Sequence, residues 1–239
     1  MAELKIPSLQ HLARNWRAGP KLIRRSLVTL AKNPPIFNYT PLFLATRDFL
    51  LLNQPYEEVA RGIRDHVKRD AVRSNYLGVL PLIRDYFEGV SPDFYQFVER
   101  RYYPVGRGLM VPFEPPMIYG VGGQLYFPWF SFWRSNPLEK ERMALFVTLV
   151  DEILLDDPDL EAAKFEILDF SVPKNETDRA LRVVDADDIP RLSDTRKREM
   201  LEVFVDGFFQ AQEELRRGVT EKSQEQEEQV DPRQPSMFD

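Results

Sequence analysis

Acidic residues are concentrated in one stretch of the second half of the chain, where they are close enough in sequence to act together. Enzymes that cleave phosphodiesters often hold a metal ion between carboxylates, and the ion activates a water molecule for attack. The stretch between residues 151 and 188 therefore has to be considered as a metal site. The candidate ligands are Asp151, Glu152, Asp156, Asp157, Asp159, Glu166, Asp169, Asp185, Asp187 and Asp188.

Part of this stretch, Pro158-Asp159 followed by Glu166-Ile167-Leu168, resembles the PD-(D/E)xK pattern of a nuclease family. The resemblance implies that Asp159 and Glu166 bind a metal and that a lysine polarises the attacking water. Leu168 occupies the place of that lysine, and the spacing is short for a strand, a loop and a second strand. We therefore predict neither a catalytic residue nor a metal site. The alternative is a metal-dependent enzyme that uses Asp157, Asp159 and Glu166.

Other common catalytic and cofactor sites are excluded by composition or have no matching motif. The chain has no cysteine, which rules out disulfides and thiolate ligands, and His11 and His66 are its only histidines. The glycine cluster at 120–123 precedes a predicted strand, so no helix N-terminus follows it to hold a phosphate. We expect no cofactor.

The first 40 residues are basic, although the whole chain carries a net charge of -6. They contain seven lysines and arginines against the single acid Glu3. A basic segment on an acidic body can contact nucleic acid or an acidic partner, whereas the more ordinary interpretation is a solvated helix face. The candidate nucleic-acid contacts are Arg14, Arg17, Lys21, Arg24 and Arg25.

The C-terminal residues combine a very polar run with two large apolar side chains. The run TEKSQEQEEQVDP cannot bury enough apolar surface to offset the entropy of ordering, so it is expected to be flexible. Met237 and Phe238 follow it, and no neighbouring residue in the run could bury them. The pair indicates an outside partner, unless it is an accident of sequence.

The last residues, Gln234-Pro235-Ser236-Met237-Phe238, resemble the pentapeptide by which bacterial replication and repair proteins bind the DNA polymerase sliding clamp. That family places Gln first, Ser or Asp third, Leu or Met fourth, and Phe or Leu fifth. Pro235 departs from the commoner Leu at a permissive position. The resemblance implies that Gln234, Ser236, Met237 and Phe238 bind the clamp. It covers only the end of the chain, and the body resembles no family.

The first half of the chain has the spacing of apolar residues that is typical of helices. Asn33-Pro34-Pro35 should end the first of the longer helices, and Ser91-Pro92-Asp93 should begin the last one. The segment PLFLATRDFLLL is too short and too charged to span a membrane, and we expect a buried helix there. Besides this segment, the predicted helices of the first half are 21–32, 55–70, 75–87 and 93–103.

The second half has the signals of strands and of two long helices. Runs at 107–113, 115–121 and 124–133 predict a β-meander, with Gly122-Gly123 as a hairpin turn. Two further strands are expected at 163–172 and 180–189. Asn136-Pro137 and Ser193 are the expected starts of the two helices, and Gly218 is the expected end of the second.

These elements predict an α+β fold with a mainly helical region at 1–103, an α+β region at 104–217 and a flexible tail at 218–239. Whether the first two regions share one core is left open. The opening residues lack a secretory signal, so we expect a cytoplasmic protein without a membrane partner.

The functional prediction is a protein that binds the sliding clamp and modulates or blocks replication or repair without catalysis. In a toxin-like version of this role, an antitoxin or another protein is the second partner. The alternatives are a clamp-tethered, metal-dependent DNA-processing enzyme and a DNA-binding module that uses the basic N-terminal segment.

Overall fold

The computed structural model describes residues 4–34 and 38–228, and it describes side chains in the last helix as far as Arg217. The described residues form an α+β fold of helices and two sheets. The helices are α1 Leu9–Asn15, α2 Pro20–Lys32, α3 Thr40–Leu52, α4 Tyr56–His66, α5 Asp70–Phe87, α6 Glu141–Leu155 and α7 Asp194–Glu228. The strands are β1 Phe94–Gln96, β2 Arg101–Gly106, β3 Leu109–Phe113, β4 Ile118–Val121, β5 Gln124–Ser131, β6 Lys164–Asp169 and β7 Arg182–Asp185.

The larger sheet has the strand order β1-β4-β5-β6-β7 and separates two apolar cores. Successive side chains of a strand point to opposite faces, so Trp129 and Ile167 enter one core whereas Phe130 and Leu168 enter the other. The first core packs α1, α2, α6, α7 and the hairpin β2–β3 against the sheet. The second packs α3, α4 and α5 against the opposite face. Each core thus combines residues from both sides of position 103.

Among the described strands, β5 and β6 form the one parallel pair, and α6 connects them. All other described pairs are antiparallel. The parallel arrangement brings the ends of β5 and β6 to the same edge of the sheet, with Ser131 opposite Asp169. The loop that leaves β5, the start of α6 and the loop that leaves β6 therefore lie near that edge.

Most predicted elements are present. The helices α2, α3, α4 and α5 form, and α2 ends before Asn33 as expected. Gly122 and Gly123 both adopt positive φ in the β4–β5 turn, as the hairpin signal predicted. The two later strands pair as β6 and β7. The Ser193 hydroxyl accepts a hydrogen bond from the Arg196 amide at 3.3 Å and caps α7.

The predicted helix at 93–103 is wrong, because this segment contains β1 and the start of β2. The Asp93 carboxylate accepts a hydrogen bond from the Gly122 amide at 3.0 Å, so it stabilises the β4–β5 turn and does not cap a helix. Phe94 then pairs with Gly120 across the strands. Aromatic residues that also suit a helix are held here in a strand by tertiary pairing.

The predicted β-meander is only partly correct. β3 pairs with β2 in a separate two-stranded sheet, so the three predicted runs do not form one consecutive antiparallel set. The expected start of α6 at Asn136 is also wrong. The Asn136 side chain accepts from the Leu138 amide and donates to Asp169, both at 2.9 Å, and the helix begins five residues later.

The expected end of α7 at Gly218 is wrong as well, because the helix continues to Glu228. A glycine inside a helix costs only about 1 kcal/mol relative to alanine, and the Glu, Gln and Lys that follow are good helix formers. The first part of the predicted flexible tail is therefore helical. Residues 229–239 lie outside the described residues.

Candidate functional site

The acidic stretch does not form one site. Three of its carboxylates are paired with separate cations: Asp151 with Arg191, Glu152 with Lys197, and Asp157 with Arg101. Within residues 4–34 and 38–228, no group of three or more acidic or histidine side chains could hold a metal ion. Salt bridges of this kind are common on protein surfaces, where they help to position helices and strands.

Glu166 lies at the other end of the parallel pair from Asp169 and is buried under α5. Its carboxylate accepts a hydrogen bond from the Tyr86 hydroxyl at 2.8 Å and lies 3.1 Å from the Lys164 ammonium. That ammonium is also 3.1 Å from Asp185. We call Tyr86, Lys164, Glu166 and Asp185 the paired cluster. Burial, followed by the charge of Tyr119 and Glu166, raises the pKa of Tyr86, so its hydroxyl remains a donor to Glu166.

Asp169 and Ser131 end the parallel pair at its carboxyl edge. Asp169 is only 3 % exposed; it accepts hydrogen bonds from Asn136 at 2.9 Å and from the Ser171 amide at 3.1 Å, and it lies 3.6 Å from Arg182. Ser131 is 2 % exposed, and its hydroxyl has no hydrogen-bond partner among the described residues. Buried polar groups normally have partners, so this hydroxyl is unusual.

Two arginines, Arg14 and Arg179, contact Trp133 next to this edge. Three further arginines lie close to one of these two or to each other, and we call the five the arginine cluster. The Arg14 guanidinium lies 5.0 Å from the centre of the Trp133 ring, and the His11 ring packs against the same tryptophan at 5.5 Å. Arg179 donates to the backbone carbonyls of Trp133 and Phe170, at 3.2 and 2.6 Å. The members of the cluster are Arg14, Arg17, Arg134, Arg142 and Arg179.

The charges of the arginine cluster repel one another. Burial, followed by the charges of Arg142 and Arg14, lowers the pKa of Arg17. The pKa of Arg179 is lowered chiefly by burial; the charge of Tyr39 raises it, the charge of Arg134 lowers it, and the charge of Asp169 raises it. Among the described residues, none of the five forms a salt bridge with a carboxylate, in contrast to Arg24, Arg101, Arg182 and Arg191.

The five predicted nucleic-acid contacts are separated by the fold. Arg14 and Arg17 belong to the arginine cluster. Lys21 and Arg24 line a different surface, an open groove of about 820 Å³ between α2 and α7. Arg25 is exposed on α2 and lines neither site.

The groove between α2 and α7 contains charges of both signs. Arg24 pairs with Glu214, Arg107 with Asp206 at 3.0 Å, and Arg217 with Glu213 at 2.9 Å. These three arginines have partners, but Lys21 and Lys32, which also line the groove, form no ion pair among the described residues, so the groove is only partly neutralised.

Arg134, Arg142, Arg179 and Trp133 were not identified by the sequence reasoning. They follow β5, begin α6 and follow β6, so they come together only because β5 and β6 are parallel. These residues could have been identified only by predicting that β5 and β6 are parallel, since ligands of α/β sheets often bind at the carboxyl ends of parallel strands.

The predicted clamp-binding residues Gln234, Ser236, Met237 and Phe238 lie outside the described residues. A weaker version of the motif, Gln124-Leu125-Tyr126-Phe127, lies in β5, where its backbone is already paired in the sheet, and the Gln124 side chain donates to the Ala162 carbonyl at 3.1 Å. Among the described residues, no helix is both long and apolar enough to cross a membrane. No protein-family model and no curated protein matches the chain.

Proposed function

We propose that this protein binds the bacterial DNA polymerase sliding clamp through Gln234, Ser236, Met237 and Phe238. The observation that carries the proposal is the match of these residues to the clamp-binding pentapeptide. Two adjacent apolar side chains can fill a preformed pocket, while the Gln234 amide fixes the register by hydrogen bonds. Burial of the pair, reduced by the entropy of ordering the peptide, suggests micromolar affinity.

The position of the motif relative to α7 supports this role. The first part of α7 is packed in the core through Met200, Phe204 and Phe208, and the helix continues to Glu228. Five residues separate Glu228 from Gln234. The motif therefore follows closely on an element that is anchored in the body.

The test is calorimetric titration of a purified bacterial clamp with the full-length protein. We expect micromolar binding, and a loss of about 100-fold or more when Gln234, Met237 and Phe238 are all changed to Ala. A matched control changes Gln224, Gln226 and Gln229 to Ala, which removes polar side chains from the same part of the chain. Absence of saturable binding by the intact protein, or an equal loss in both triple variants, would reject the proposal.

For the body, we propose a modulating role without catalysis, exerted in the cytoplasm, and a toxin-like block of replication countered by an antitoxin is one version of it. In support, Glu166 is hydrogen-bonded to Tyr86 and paired with Lys164, while Asp157 is paired with Arg101. The competing enzyme would need Asp157, Asp159 and Glu166 to bind a metal. Metal-dependent DNA cleavage that is lost in a folded Glu166→Gln variant would favour the enzyme.

A second candidate function, contact with DNA by the body, is favoured by the presence of Arg14 and Arg17 in the arginine cluster. The test is the affinity of the protein for duplex DNA, measured at several salt concentrations. If the protein binds DNA phosphates, its affinity should fall steeply as the salt concentration rises, because association releases counterions from the DNA. Absent or salt-insensitive binding would dismiss this candidate.

A further inference from the structure

The helices α2 and α7 approach each other closely at one end of the groove between them. A Cβ atom at Gly207 would lie 2.6 Å from the Ile23 Cβ and 2.9 Å from the Pro20 carbonyl oxygen, so α7 lies directly on the first turn of α2. Lys21 follows Pro20 and lines the groove. Lys21 is therefore level with the part of α7 around Gly207.

The groove has more positive than negative charge. Its lining contains five lysines and arginines against three acids, which leaves a net charge of +2. The acids pair with Arg24, Arg107 and Arg217. The excess positive charge is therefore carried by Lys21 and Lys32, both of which are exposed.

The last part of α7 carries the opposite charge. Leu215 is the last buried side chain described in this helix, and the helix continues to Glu228. We call residues 218–228 the distal segment. It contains four glutamates and one lysine, a net charge of -3, and three of the glutamates stand among its last four residues. Most helix stability in proteins comes from packing against another surface, so a partner for the distal segment is expected.

The groove and the distal segment match in length. The α7 residues that line the groove run from Asp206 to Arg217, about 18 Å at 1.5 Å per residue, and the distal segment is about 16 Å long. A two-fold axis that crosses α7 near Arg217 would lay the distal segment of each of two copies along the groove of the other. Such a contact is self-complementary, because the same two surfaces meet twice.

Opposite charges meet in this antiparallel arrangement. The glutamate-rich end of the distal segment lies opposite the part of the second copy around Gly207, which is where Lys21 is located. Arg217 is nearest to the axis and would approach the same residue of the second copy. Its charge is already offset by Glu213 at 2.9 Å. The acidic end and the lysine with no salt bridge are thus brought together, and the like charges at the centre are compensated.

We propose that this protein forms an antiparallel dimer in which the distal segment of each copy binds the groove between α2 and α7 of the other. The occupant of the groove is a second copy because the chain itself carries a helix of the matching length and the opposite charge. Charge complementarity of this kind specifies the partner and its orientation. The dimer does not require the clamp-binding peptide, so either proposal can fail without the other.

The experiment measures the oligomeric state of the full-length protein by analytical ultracentrifugation over a range of protein concentrations. The runs are made at about 0.05 M and about 0.5 M salt, which screen exposed charges to different extents. We expect a dimer at low salt, with a dissociation constant that rises at least about 10-fold at high salt because the contact consists mainly of exposed charges.

Charge reversal on either side of the contact should separate the copies. Lys21→Glu with Lys32→Glu reverses the groove, and Glu225→Lys with Glu228→Lys reverses the distal segment. We expect each variant to weaken dimerisation at least about 10-fold, because like charges then face each other. The protein that carries all four changes should recover an affinity within about 3-fold of the native value, because opposite charges meet again.

The control is Arg61→Glu with Lys68→Glu, which makes the same change of net charge as the lysine variant at exposed positions away from the groove. It should change the dissociation constant less than about 2-fold. A protein that is monomeric at every concentration at low salt would overturn the proposal. Equal weakening by the control, or no recovery in the fourfold variant, would also overturn it. If the protein is monomeric and the lysine variant instead changes its affinity for the clamp, the groove belongs to the C-terminal residues of the same chain and the dimer is rejected.

Discussion

The two ends of the parallel pair β5–β6 carry charge in opposite ways. At the amino-terminal end, Lys164 lies between Glu166 and Asp185, and Tyr86 donates to Glu166. At the carboxyl end lies the arginine cluster, and none of its members forms a salt bridge with a described carboxylate. The same two strands thus support a cluster whose charges are paired and, beside the Asp169–Arg182 pair, a cluster of arginines that form no salt bridge of their own.

This difference separates charges that stabilise the fold from charges that are available to a ligand. A buried carboxylate with a full set of partners contributes to stability only while those partners remain. A group of like charges without counterions lowers stability and leaves the charges available to a ligand. Three substitutions or titrations test whether the two ends behave in these opposite ways.

The largest effect is expected at the paired cluster. Glu166→Gln removes the charge that Lys164 faces and leaves a neutral amide in a buried site, so the free energy of unfolding should fall by about 2 kcal/mol. Urea denaturation at neutral pH measures it. Glu213→Gln, which breaks an exposed pair with Arg217 on α7, is the control and should change stability by less than about 0.5 kcal/mol. Equal effects of the two changes would contradict the structural role of Glu166.

The next effect is a pH dependence at the arginine end. Burial, followed by the charge of Arg14, lowers the pKa of His11 from 6.5 to about 4. Between these values the unfolded chain binds a proton that the folded protein does not, so stability falls as pH decreases through this window. The contribution of His11 is fully present above pH 6.5 and is lost toward pH 4.

Replacement of His11 isolates this contribution from the carboxylates that titrate in the same range. Relative to a His11→Gln variant, the native protein should lose about 2 kcal/mol of stability between pH 7 and pH 4, after allowance for partial exposure of the ring. Denaturation curves at several pH values measure the difference. Parallel curves for the two proteins would show that His11 stays protonated in both states or is solvated in both.

The smallest effect is expected from the loss of one repelling charge. Arg142→Gln should raise the free energy of unfolding by about 0.5 kcal/mol at low ionic strength, because it relieves repulsion with Arg17. Added salt should remove the gain, since salt screens exposed charges. Arg61→Gln on α4 should show no such gain. A decrease in stability would mean that Arg142 has a structural partner and would weaken the contrast between the two ends.

The elements that were predictable from the sequence are those with strong local signals. The amphipathic helix α2, the Gly122-Gly123 hairpin and the Ser193 cap each depend on residues that are neighbours in sequence. The segment 93–103 was misassigned because its strand conformation depends on pairing of β1 with β4, more than 20 positions away. The predicted end of α7 at Gly218 was wrong for a related reason. One glycine does not end a helix when the residues around it favour helix formation.

The candidate site was predictable only in part. Arg14 and Arg17 were identified from the basic N-terminal segment, but Lys21 and Arg24 in the same segment face the groove between α2 and α7. Charge density along the chain does not reveal which face of a helix carries each charge. Arg142 and Arg179 could not be assigned to the cluster without knowledge that β5 and β6 run parallel.

The arginine cluster is assembled from distant segments of the chain, so its charges come together only in the folded protein. Arg14 and Arg179 are 165 positions apart in the chain, so an unfolded chain offers no comparable site. A ligand that binds only the native state stabilises it by mass action, by about 2.7 kcal/mol at 100 times the dissociation constant. An anion that bound these arginines would therefore add to the stability of the fold gradually as its concentration rose, so the stability would depend on the surroundings of the protein as well as on its cores.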